Sequence, residues 1–384
     1  MELQALWHEI KNFRLPDYKS LHIITLDVPY PADYGGAIDI FYRIKALSEL
    51  GFDLTIHVFE YGRGRQIELE KFGKVFYYKR SFSFFKIFSK TPFIVKSRNS
   101  TELLKNLLKD EFPIFYDGLH TTFFLSHPLL KNRFTYVRMH NIEHEYYSDL
   151  SKGSNIFKKF FFKLESYKLK KYEKILKNAN QILAIKEEDQ DHFKEFNINV
   201  EVLSASLPEF FVPVSETNKF ALFHGNLSVP ENEMAVYWIL DSLKDTLSSE
   251  FPVLVAGKYP TRKLVKYCDS LNVKILANPT EDELNKLISE AHIHVFYTES
   301  PSGVKLKLLN SLGSQGHIIV NESMTNDQNL KNFCEVASSK NDFLMKFEQL
   351  KGRDLSSEEF NKRKAYLIEN FSTKNNLKKL FSNF

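Results

Sequence analysis

The chain has 384 residues. This length predicts two domains of roughly 150 to 200 residues, because single hydrophobic cores stop growing above about 250 to 300 residues. Hydrophobic residues make up 43% and charged residues 26%, which is a globular balance. No apolar run approaches the roughly 20 residues of a membrane span, and the N-terminus has no signal-peptide pattern. The composition therefore excludes membrane-spanning classes and predicts a cytoplasmic protein with reduced Cys268 and Cys334.

The net charge of +4 is concentrated in residues 1–215, which hold 31 Lys and Arg against 27 Asp and Glu. Residues 79–98 carry six basic residues and no acidic one, and residues 152–177 carry nine lysines against two glutamates. Phenylalanine is interleaved with lysine in both stretches, which favours peripheral docking on the anionic inner face of a membrane. The alternative is an amphipathic helix whose core face would contain Phe160, Phe161, Leu164 and Tyr167.

The predicted elements begin with the apolar run LHIITLDV at 21–28, followed by a Pro/Gly-rich loop and a helical pattern that ends at Gly51. DLTIHVFEY then has strand character, which completes one unit of a parallel sheet. Short apolar runs predict further strands at 114–118, 135–140 and 181–185. A helix is predicted at 156–178, before the last of these strands. The first domain is expected to span residues 1–205.

The same pattern restarts at ALFHGNL, residues 221–227. Helices and strands are then predicted in alternation. The helices are expected at 231–248, 261–271 and 281–290, and the strands at 252–258, 273–279 and 292–298. Residues 206–219 contain two prolines and are the predicted linker. The second domain is expected over 220–384, with a last helix that can pack back on the first lobe. The fold class is α/β, with two doubly wound parallel-sheet lobes facing a central cleft.

The loop from Pro29 to Gly36 joins the first strand to its helix. Free backbone N–H groups at such a junction can contact an anion or a sugar, and Gly35 and Gly36 allow close approach. An ordinary strand-to-helix turn explains the same residues equally well.

Two motifs resemble metal sites. His140 to His144 spell H-x-x-E-H, a zinc pattern that needs both histidines on one face of a helix. Because His140 ends a predicted strand, we expect no zinc there; at that strand end His140 either hydrogen-bonds a sugar or is structural. Asp189 and Asp191 spell D-x-D, but they lie in an acidic stretch that predicts a solvated first turn of a helix.

The segment from Glu299 to Asn310 follows the predicted strand HIHVFYT. Gly303 is expected to open a helix, with Lys305 and Lys307 in its first turns. Free N–H groups, the helix dipole and an ammonium group would together bind a diphosphate. The alternative is a surface helix decorated with lysines.

Several of these segments together resemble the family 4 type of GT-B glycosyltransferases over nearly the whole chain. The matching segments are the P-Y-P-x-x-x-G-G loop, RMHNIEHEYY, KLKKYEKILKNANQILAIKEED, ALFHGNLSVPENEMAV, the VAGK strand end and GVKLKLLNSLGSQGHIIVN. The resemblance implies a GT-B fold with a Rossmann-like acceptor-side first lobe and a Rossmann-like second lobe that binds the nucleotide sugar. It also implies a retaining, metal-independent hexosyl transfer without a cofactor, in polysaccharide biosynthesis, onto a glycan or lipid-linked acceptor.

The resemblance further implies roles for single residues. Gly35 and Gly36 would contact the donor phosphates, His140 the transferred sugar, and Lys258 with the loop of Gly225 the diphosphate. The phosphate-binding helix start would run over Gly303, Val304, Lys305 and Lys307, with His140, Lys305 and Glu299 as the candidate catalytic residues. No nucleic acid partner is implied.

The chain departs from the family pattern at three positions. Ser302 and Asn310 stand where many members have glutamates that contact the sugar and the ribose; Asn310 can still hydrogen-bond a ribose, and nearby Glu299 can supply a carboxylate. Asn226 stands where an arginine often contacts phosphate. These departures leave open a second hypothesis, a catalytically impaired sugar-nucleotide-binding or partner protein on the same scaffold. An epimerase or phosphorylase fits the motifs less well.

Overall fold

The computed structural model describes residues 19–82, 87, 89–152, 155–208, 218–299, 304–325 and 328–382. The chain divides into two compact units, Met1–Ser206 with Thr373–Phe384, and Leu207–Ser372. Each unit is built on its own parallel β-sheet. The expected α/β class with two doubly wound parallel-sheet lobes is confirmed.

The first unit contains a seven-stranded sheet among the described residues, with strand order β3-β2-β1-β4-β5-β6-β7. All neighbouring strands are parallel. The strands are β1 Ser20–Thr25, β2 Asp53–Glu60, β3 Lys74–Lys79, β4 Ile114–Asp117, β5 Thr135–Met139, β6 Gln181–Ala184 and β7 Val200–Val202. The central strands are buried along almost their whole length because helices cover both faces of such a sheet.

The helices of the first unit connect these strands. The α-helices are α1 Gly35–Glu49, α2 Ile67–Glu70, α3 Phe93–Lys96, α4 Thr101–Leu107, α5 Glu143–Lys152, α6 Ile156–Tyr172 and α7 Gln190–Lys194. Short 3₁₀ helices lie at Leu119–Phe124, Pro128–Leu130, Glu173–Asn178 and Glu187–Asp189. The helix expected over 156–178 therefore changes to 3₁₀ geometry after Tyr172.

The second unit contains a six-stranded sheet among the described residues, with order β10-β9-β8-β11-β12-β13. The strands are β8 Asn218–Asn226, β9 Val253–Lys258, β10 Lys274–Ala277, β11 Ala291–Val295, β12 His317–Asn321 and β13 Glu335–Ala337. The strand expected over 292–298 ends earlier, because the Thr298 amide donates to Asn321 Oδ1 at 3.1 Å instead of joining the ladder. The two sheets share one strand order, 3-2-1-4-5-6, with one more strand in the first.

The helices of the second unit alternate with its strands. They are α8 Pro230–Leu243, α9 Arg262–Ser270, α10 Glu281–Glu290, α11 Leu306–Leu312, α12 Gln328–Lys331, α13 Lys340–Leu350 and α14 Ser357–Phe371, with 3₁₀ helices at Lys244–Thr246 and Glu322–Met324. The helix expected to reach residue 248 ends at Leu243. The predicted linker lies largely outside the described residues.

The last helix, α15 (Thr373–Phe381), belongs to the first unit. Its Leu377 is fully buried in the same hydrophobic cluster as β1 and α1. The Phe381 ring lies 4.9 Å from Phe52 and 5.5 Å from Tyr136, centroid to centroid. The chain thus returns to the first unit after completing the second. No helix among the described residues is both long and apolar enough to cross a membrane.

Helix α6 does not bury the aromatic face that its amphipathic pattern suggested. Its buried residues are Glu165, Lys168 and Leu169, whereas Phe160 and Tyr167 are 73% and 60% exposed. Glu165 is held inside because it accepts hydrogen bonds from the Phe93 amide at 2.6 Å and from Lys168 at 3.3 Å. The interpretation that placed Phe160 and Tyr167 in the core is wrong.

Candidate active site

In the first unit, the chain order reverses between β1 and β4. Ligands of doubly wound sheets bind outside the carboxyl ends of the strands at such a switch point. The loop after β1 is held there by Arg63, which donates to the Pro31 carbonyl oxygen at 2.6 Å and to Asp33. The same guanidinium lies 4.9 Å from the centre of the Tyr34 ring. Sequence analysis assigned Arg63 no role.

Gly35 is the first residue of α1, and no side chain caps the first turn of this helix. The N–H groups of a first helical turn have no acceptor within the helix. Gly35 is exposed and Gly36 is half-buried. A Cβ atom at Gly36 would lie 3.1 Å from the Tyr34 ring, so a side chain there would displace the ring. The two glycines thus keep the turn accessible to a ligand.

His140 directly follows β5, at the carboxyl edge of the same sheet. Its Nε2 atom lies 2.5 Å from Asp117 Oδ1, and its Nδ1 atom lies 3.5 Å from Asp39 Oδ2. The side chain is 11% exposed. Two carboxylates therefore orient the imidazole, and only a small part of the ring is accessible.

Asp39 and Asp117 belong to a buried ionic network with Arg43 and Arg138. Arg43 donates to Asp39 Oδ2 at 2.8 Å and to Asp117, and Arg138 Nη2 lies 3.3 Å from Asp39 Oδ1. Burial opposes the charge on Asp39, but Arg138 and Arg43 outweigh it and hold the pKa of Asp39 well below its usual value. Burial is likewise outweighed at Asp117, whose pKa is lowered by Arg43 and His140. Both carboxylates stay ionised and fix the position of His140.

Sequence analysis missed this network, although each member leaves a signal. Arg138 stands within the otherwise apolar strand TYVRM, and Asp39 and Arg43 stand four residues apart in an apolar helix pattern. Asp117 ends the buried strand IFYD. A charged residue in a buried element needs a partner, but the sequence does not reveal which distant residue that partner is.

In the second unit, β8 and β9 end side by side, with Gly225 opposite Gly257 and Asn226 opposite Lys258. A Cβ atom at Gly257 would lie 1.9 Å from the Gly225 carbonyl oxygen, so only glycine fits. Asn226 Oδ1 accepts hydrogen bonds from the amide and the hydroxyl of Ser228, at 3.0 and 2.7 Å. The Asn226 side chain therefore stabilises the turn that follows β8. Lys258, at the end of the neighbouring strand β9, is half-buried.

Lys307 lies in the first turn of α11 with its ammonium group mostly enclosed. Its Nζ donates to Asn232 Oδ1 at 2.9 Å and lies 5.1 and 5.7 Å from the ring centres of Phe223 and Phe296. Burial lowers the pKa of Lys307 to about 8; Glu231 opposes this shift and Lys305 adds to it. The ammonium has thus lost much of its hydration, and no carboxylate of the described residues lies within ion-pair distance of it.

Lys305 immediately precedes α11, which begins at Leu306. Its Nζ lies 3.8 Å from Glu231 Oε1. Val304 contributes a carbonyl oxygen that accepts from the Leu306 amide at 3.2 Å. Ser302 and Gly303, which were expected to open this helix, lie outside the described residues.

Asn310 lies one helical turn beyond Lys307 on α11. Its Oδ1 atom is buried and has no hydrogen-bond partner in the described part of the chain. Ser311, the next residue, contacts His224 of β8 at 3.2 Å, which ties α11 to the sheet. Glu299 is exposed after the end of β11.

The two metal-like motifs do not form shared sites. His140 binds Asp117, whereas His144 lies in α5 and binds Glu173 at 2.9 Å, so the two histidines of H-x-x-E-H face different partners. Asp189 is 5% exposed, so the expectation of a solvated turn is wrong for it; Lys186 lies 3.4 Å away. Asp191 of the same D-x-D is 91% exposed.

Two parallel sheets of this strand order, each with a polar constellation at its carboxyl edge, define the class: the chain has the GT-B fold of glycosyltransferases. The resemblance to GT-B glycosyltransferases is confirmed at the level of the fold. A glycosyltransferase from Rickettsia africae ESF-5 superposes with a TM-score of 0.65 and 15% identity, over 95% of this chain and 97% of that chain. Anabaena HepE, solved with UDP and glucose, gives 0.63 and 10%, over 96% and 100%.

A relative in sequence is an uncharacterized 44.6 kDa protein in the cps region of Klebsiella pneumoniae. It is 25% identical over 319 residues, which cover 76% of this chain and 79% of the relative. No protein-family model matches the chain.

Proposed function

We propose that this protein is a glycosyltransferase that moves a sugar from a nucleotide-diphosphate sugar to a glycan or lipid-linked acceptor. The second unit binds the nucleotide diphosphate, and the first unit contributes the acceptor side. The GT-B fold and the complex of HepE with UDP and glucose support a nucleotide-sugar donor.

The observation that carries this proposal is a pair of incompletely satisfied polar groups on one helix. The Lys307 ammonium is enclosed without a close carboxylate, and Asn310 Oδ1, one turn away, is buried without a partner among the described residues. A diphosphate supplies negative charge, and a ribose supplies hydroxyl donors. One nucleoside diphosphate would therefore satisfy both groups.

The remaining residues of the second unit extend this donor site. Lys305 and Lys258 add positive charge, Gly225 and Asn226 present backbone at the strand end, and Glu299 supplies a carboxylate for the sugar. Negative charge develops on the departing diphosphate in the transition state, so fixed cations there stabilise it by several kcal/mol. Val304, Ser302 and Gly303 complete the phosphate site in this proposal.

In the first unit, His140 contacts the transferred sugar through the exposed edge of its ring. Gly35 and Gly36 contact the donor phosphates. The transfer proceeds with retention and needs no metal on the diphosphate, because lysines supply the charge that a divalent cation would supply. The acceptor hydroxyl attacks from the face that the diphosphate leaves and passes its proton to the departing diphosphate oxygen, so no separate base is required.

The acceptor is reached at a membrane surface in this proposal, and the protein acts on the cytoplasmic side in polysaccharide biosynthesis. The support is the start of α6, where Ile156, Phe157 and Phe160 are 78%, 86% and 73% exposed. Lys158, Lys159 and Lys163 are exposed beside them. Aromatic side chains can enter the headgroup boundary while lysines contact anionic lipid. Each lysine near the surface contributes about 1 kcal/mol to membrane binding.

Calorimetry with two ligands tests the donor site. Lys307→Met should weaken the binding of both nucleoside diphosphate and inorganic pyrophosphate by roughly 1.5 to 3 kcal/mol, because it removes a charge-assisted contact. Asn310→Ala should weaken the binding of the nucleoside diphosphate only, because pyrophosphate has no ribose. Lys266→Ala, at an exposed lysine of the same unit, is the control. Unchanged affinities in both site variants would remove α11 from the donor site.

A further inference from the structure

The first unit contains a second cluster of titratable side chains, outside the proposed active site. His144 Nδ1 lies 2.9 and 3.0 Å from the two carboxylate oxygens of Glu173, and His192 Nε2 lies 3.1 Å from Glu173 Oε2. The three candidate ligand atoms lie within 4.8 Å of one another. We propose that His144, Glu173 and His192 bind one Zn²⁺ ion.

Packing positions these three residues before any ligand binds. His144 lies in the first turn of α5, Glu173 directly follows α6, and His192 lies in α7. The Ser166 hydroxyl of α6 donates to the His144 carbonyl oxygen at 2.6 Å. Phe193, next to His192, is fully buried. The ligands therefore come from three elements whose backbones are already fixed.

The charge balance separates this cluster from the network around His140. Asp39 and Asp117 are paired with Arg43 and Arg138, so a cation there would face two guanidinium groups. Glu173 is fully buried, and in the described part of the chain its ion pairs are with the two histidines only. A buried carboxylate requires compensation by a cation or by hydrogen-bond donors.

A second buried carboxylate strengthens this contrast. Glu143 precedes His144 in the chain and is 2% exposed. Its ion-pair partner within the described ranges is His120, at a distance of 3.9 Å. The region around His144 thus holds two buried carboxylates and no Lys or Arg in contact with either of them among the described ion pairs.

The ligand set identifies the ion. Two imidazole nitrogens and one carboxylate oxygen are the ligands of many zinc sites, where a water molecule or another group takes the fourth position. Tetrahedral bonds of about 2.0 to 2.2 Å separate ligand atoms by roughly 3.3 Å. The two histidine-to-glutamate separations, 2.9 and 3.1 Å, would need to widen by only a few tenths of an ångström, and the two imidazole nitrogens lie within 4.8 Å of each other. Both histidines are partly exposed, at 13% and 20%, which gives an ion a route from solvent.

Such a zinc ion would join α5, α7 and the end of α6, and so stabilise their packing. An ion that binds only the folded chain stabilises it by mass action. The proposal does not depend on the proposed transferase activity, and it assigns the ion no contact with the donor diphosphate.

Metal analysis of the purified full chain tests this proposal. The protein is stripped with chelator, incubated with ZnCl₂ and dialysed, and its zinc content and thermal midpoint are measured. Wild type should retain about one zinc per chain and melt at higher temperature with zinc than without. Glu173→Gln and His192→Ala should retain less than about a tenth as much, whereas His127→Ala should match wild type.

Cobalt gives a second readout that needs no variant. Wild-type protein loaded with Co²⁺ should show the intense visible absorption of a tetrahedral site, and equimolar ZnCl₂ should remove it. Wild type that retains no zinc, or retains it equally in Glu173→Gln and His192→Ala, would overturn the proposal. In the first of these outcomes Glu173 is simply an acceptor for two histidines.

Discussion

Lys307 combines two properties that rarely occur together on a lysine. Its ammonium is mostly enclosed, and the nearest oxygen it contacts is an uncharged amide, at 2.9 Å. Enclosure disfavours the protonated form more than Glu231 favours it, which is why the pKa of Lys307 falls to about 8. A bound diphosphate would reverse this balance.

The first prediction concerns the pH dependence of nucleoside diphosphate binding. The free protein releases the Lys307 proton as pH rises through about 8, whereas the complex keeps it because the diphosphate stabilises the charge. Affinity should therefore be constant below about pH 7.5 and fall above pH 8, with proton uptake on binding. Calorimetry in two buffers of different ionisation enthalpy measures both effects. Lys307→Met should bind more weakly and lose this pH dependence.

The second prediction concerns His140. His140→Ala removes the ring that faces the sugar in our proposal, but Arg43 still pairs with both carboxylates. The variant should fold with a small change in thermal midpoint, while turnover of the nucleotide sugar falls at least about a hundredfold. Asp117→Asn keeps the His140 ring but weakens the contact that orients it, so turnover should fall less than in His140→Ala. Full activity in His140→Ala would assign His140 a structural role.

At the residue scale, the sequence allowed part of the candidate site to be predicted. Lys307 stood out because it follows an apolar strand and Asn310 because of the family resemblance, and both lie on one helix after β11. Arg138 and Asp39 did not stand out, because 99 residues separate them and their pairing depends on the tertiary fold. Local patterns identify single polar groups near strand ends better than pairs formed by residues far apart in the sequence.

At the scale of single elements, α6 differs most from its sequence pattern. Its Phe and Lys residues suggested either a core face or a membrane face, and the periodicity could not decide between them. The outcome depends on Glu165. Its carboxylate accepts a hydrogen bond from the Phe93 amide, so this polar side chain faces the interior. Phe157 and Phe160 consequently remain exposed.

The third prediction is that this end of α6 binds anionic vesicles. The protein should co-sediment with vesicles containing phosphatidylserine at low salt and dissociate as salt rises, because screening shortens the Debye length. Changing Lys158, Lys159 and Lys163 to Gln should reduce binding, and so should Phe157→Ser with Phe160→Ser. A triple change to Gln at Lys266, Lys274 and Lys286 of the second unit is the matched control. Wild-type protein that stays in the supernatant at low salt would contradict the prediction.

At the scale of the whole molecule, the chain completes the first unit only with its last helix. Leu377 and Phe381 of α15 pack into the cluster formed by β1 and α1. The parallel arrangement of the strands within each unit was predictable, because alternating strands and helices favour a parallel sheet. The boundaries were less predictable: nothing in the periodicity marks the end of α8 at Leu243.

The fourth prediction concerns this last helix. Leu377→Ala should lower the free energy of unfolding by about 2 to 5 kcal/mol, because it leaves a cavity in the core of the first unit. Urea denaturation followed by fluorescence measures the change. Lys378→Ala, at the next position on the same helix, should change stability by less than about 0.5 kcal/mol. Equal effects of the two substitutions would show that α15 is not part of the core.

Release of nucleoside diphosphate from nucleotide sugars tests the central claim most directly. The protein is incubated with a panel of nucleotide-diphosphate sugars, with and without membrane lipid extract as the acceptor source, and the released nucleoside diphosphate is quantified. Our account predicts acceptor-dependent release from at least one donor, and a loss of at least about tenfold in Lys307→Met. Binding of nucleotide sugars without release from any donor would contradict it and favour a sugar-nucleotide-binding protein that does not catalyse transfer.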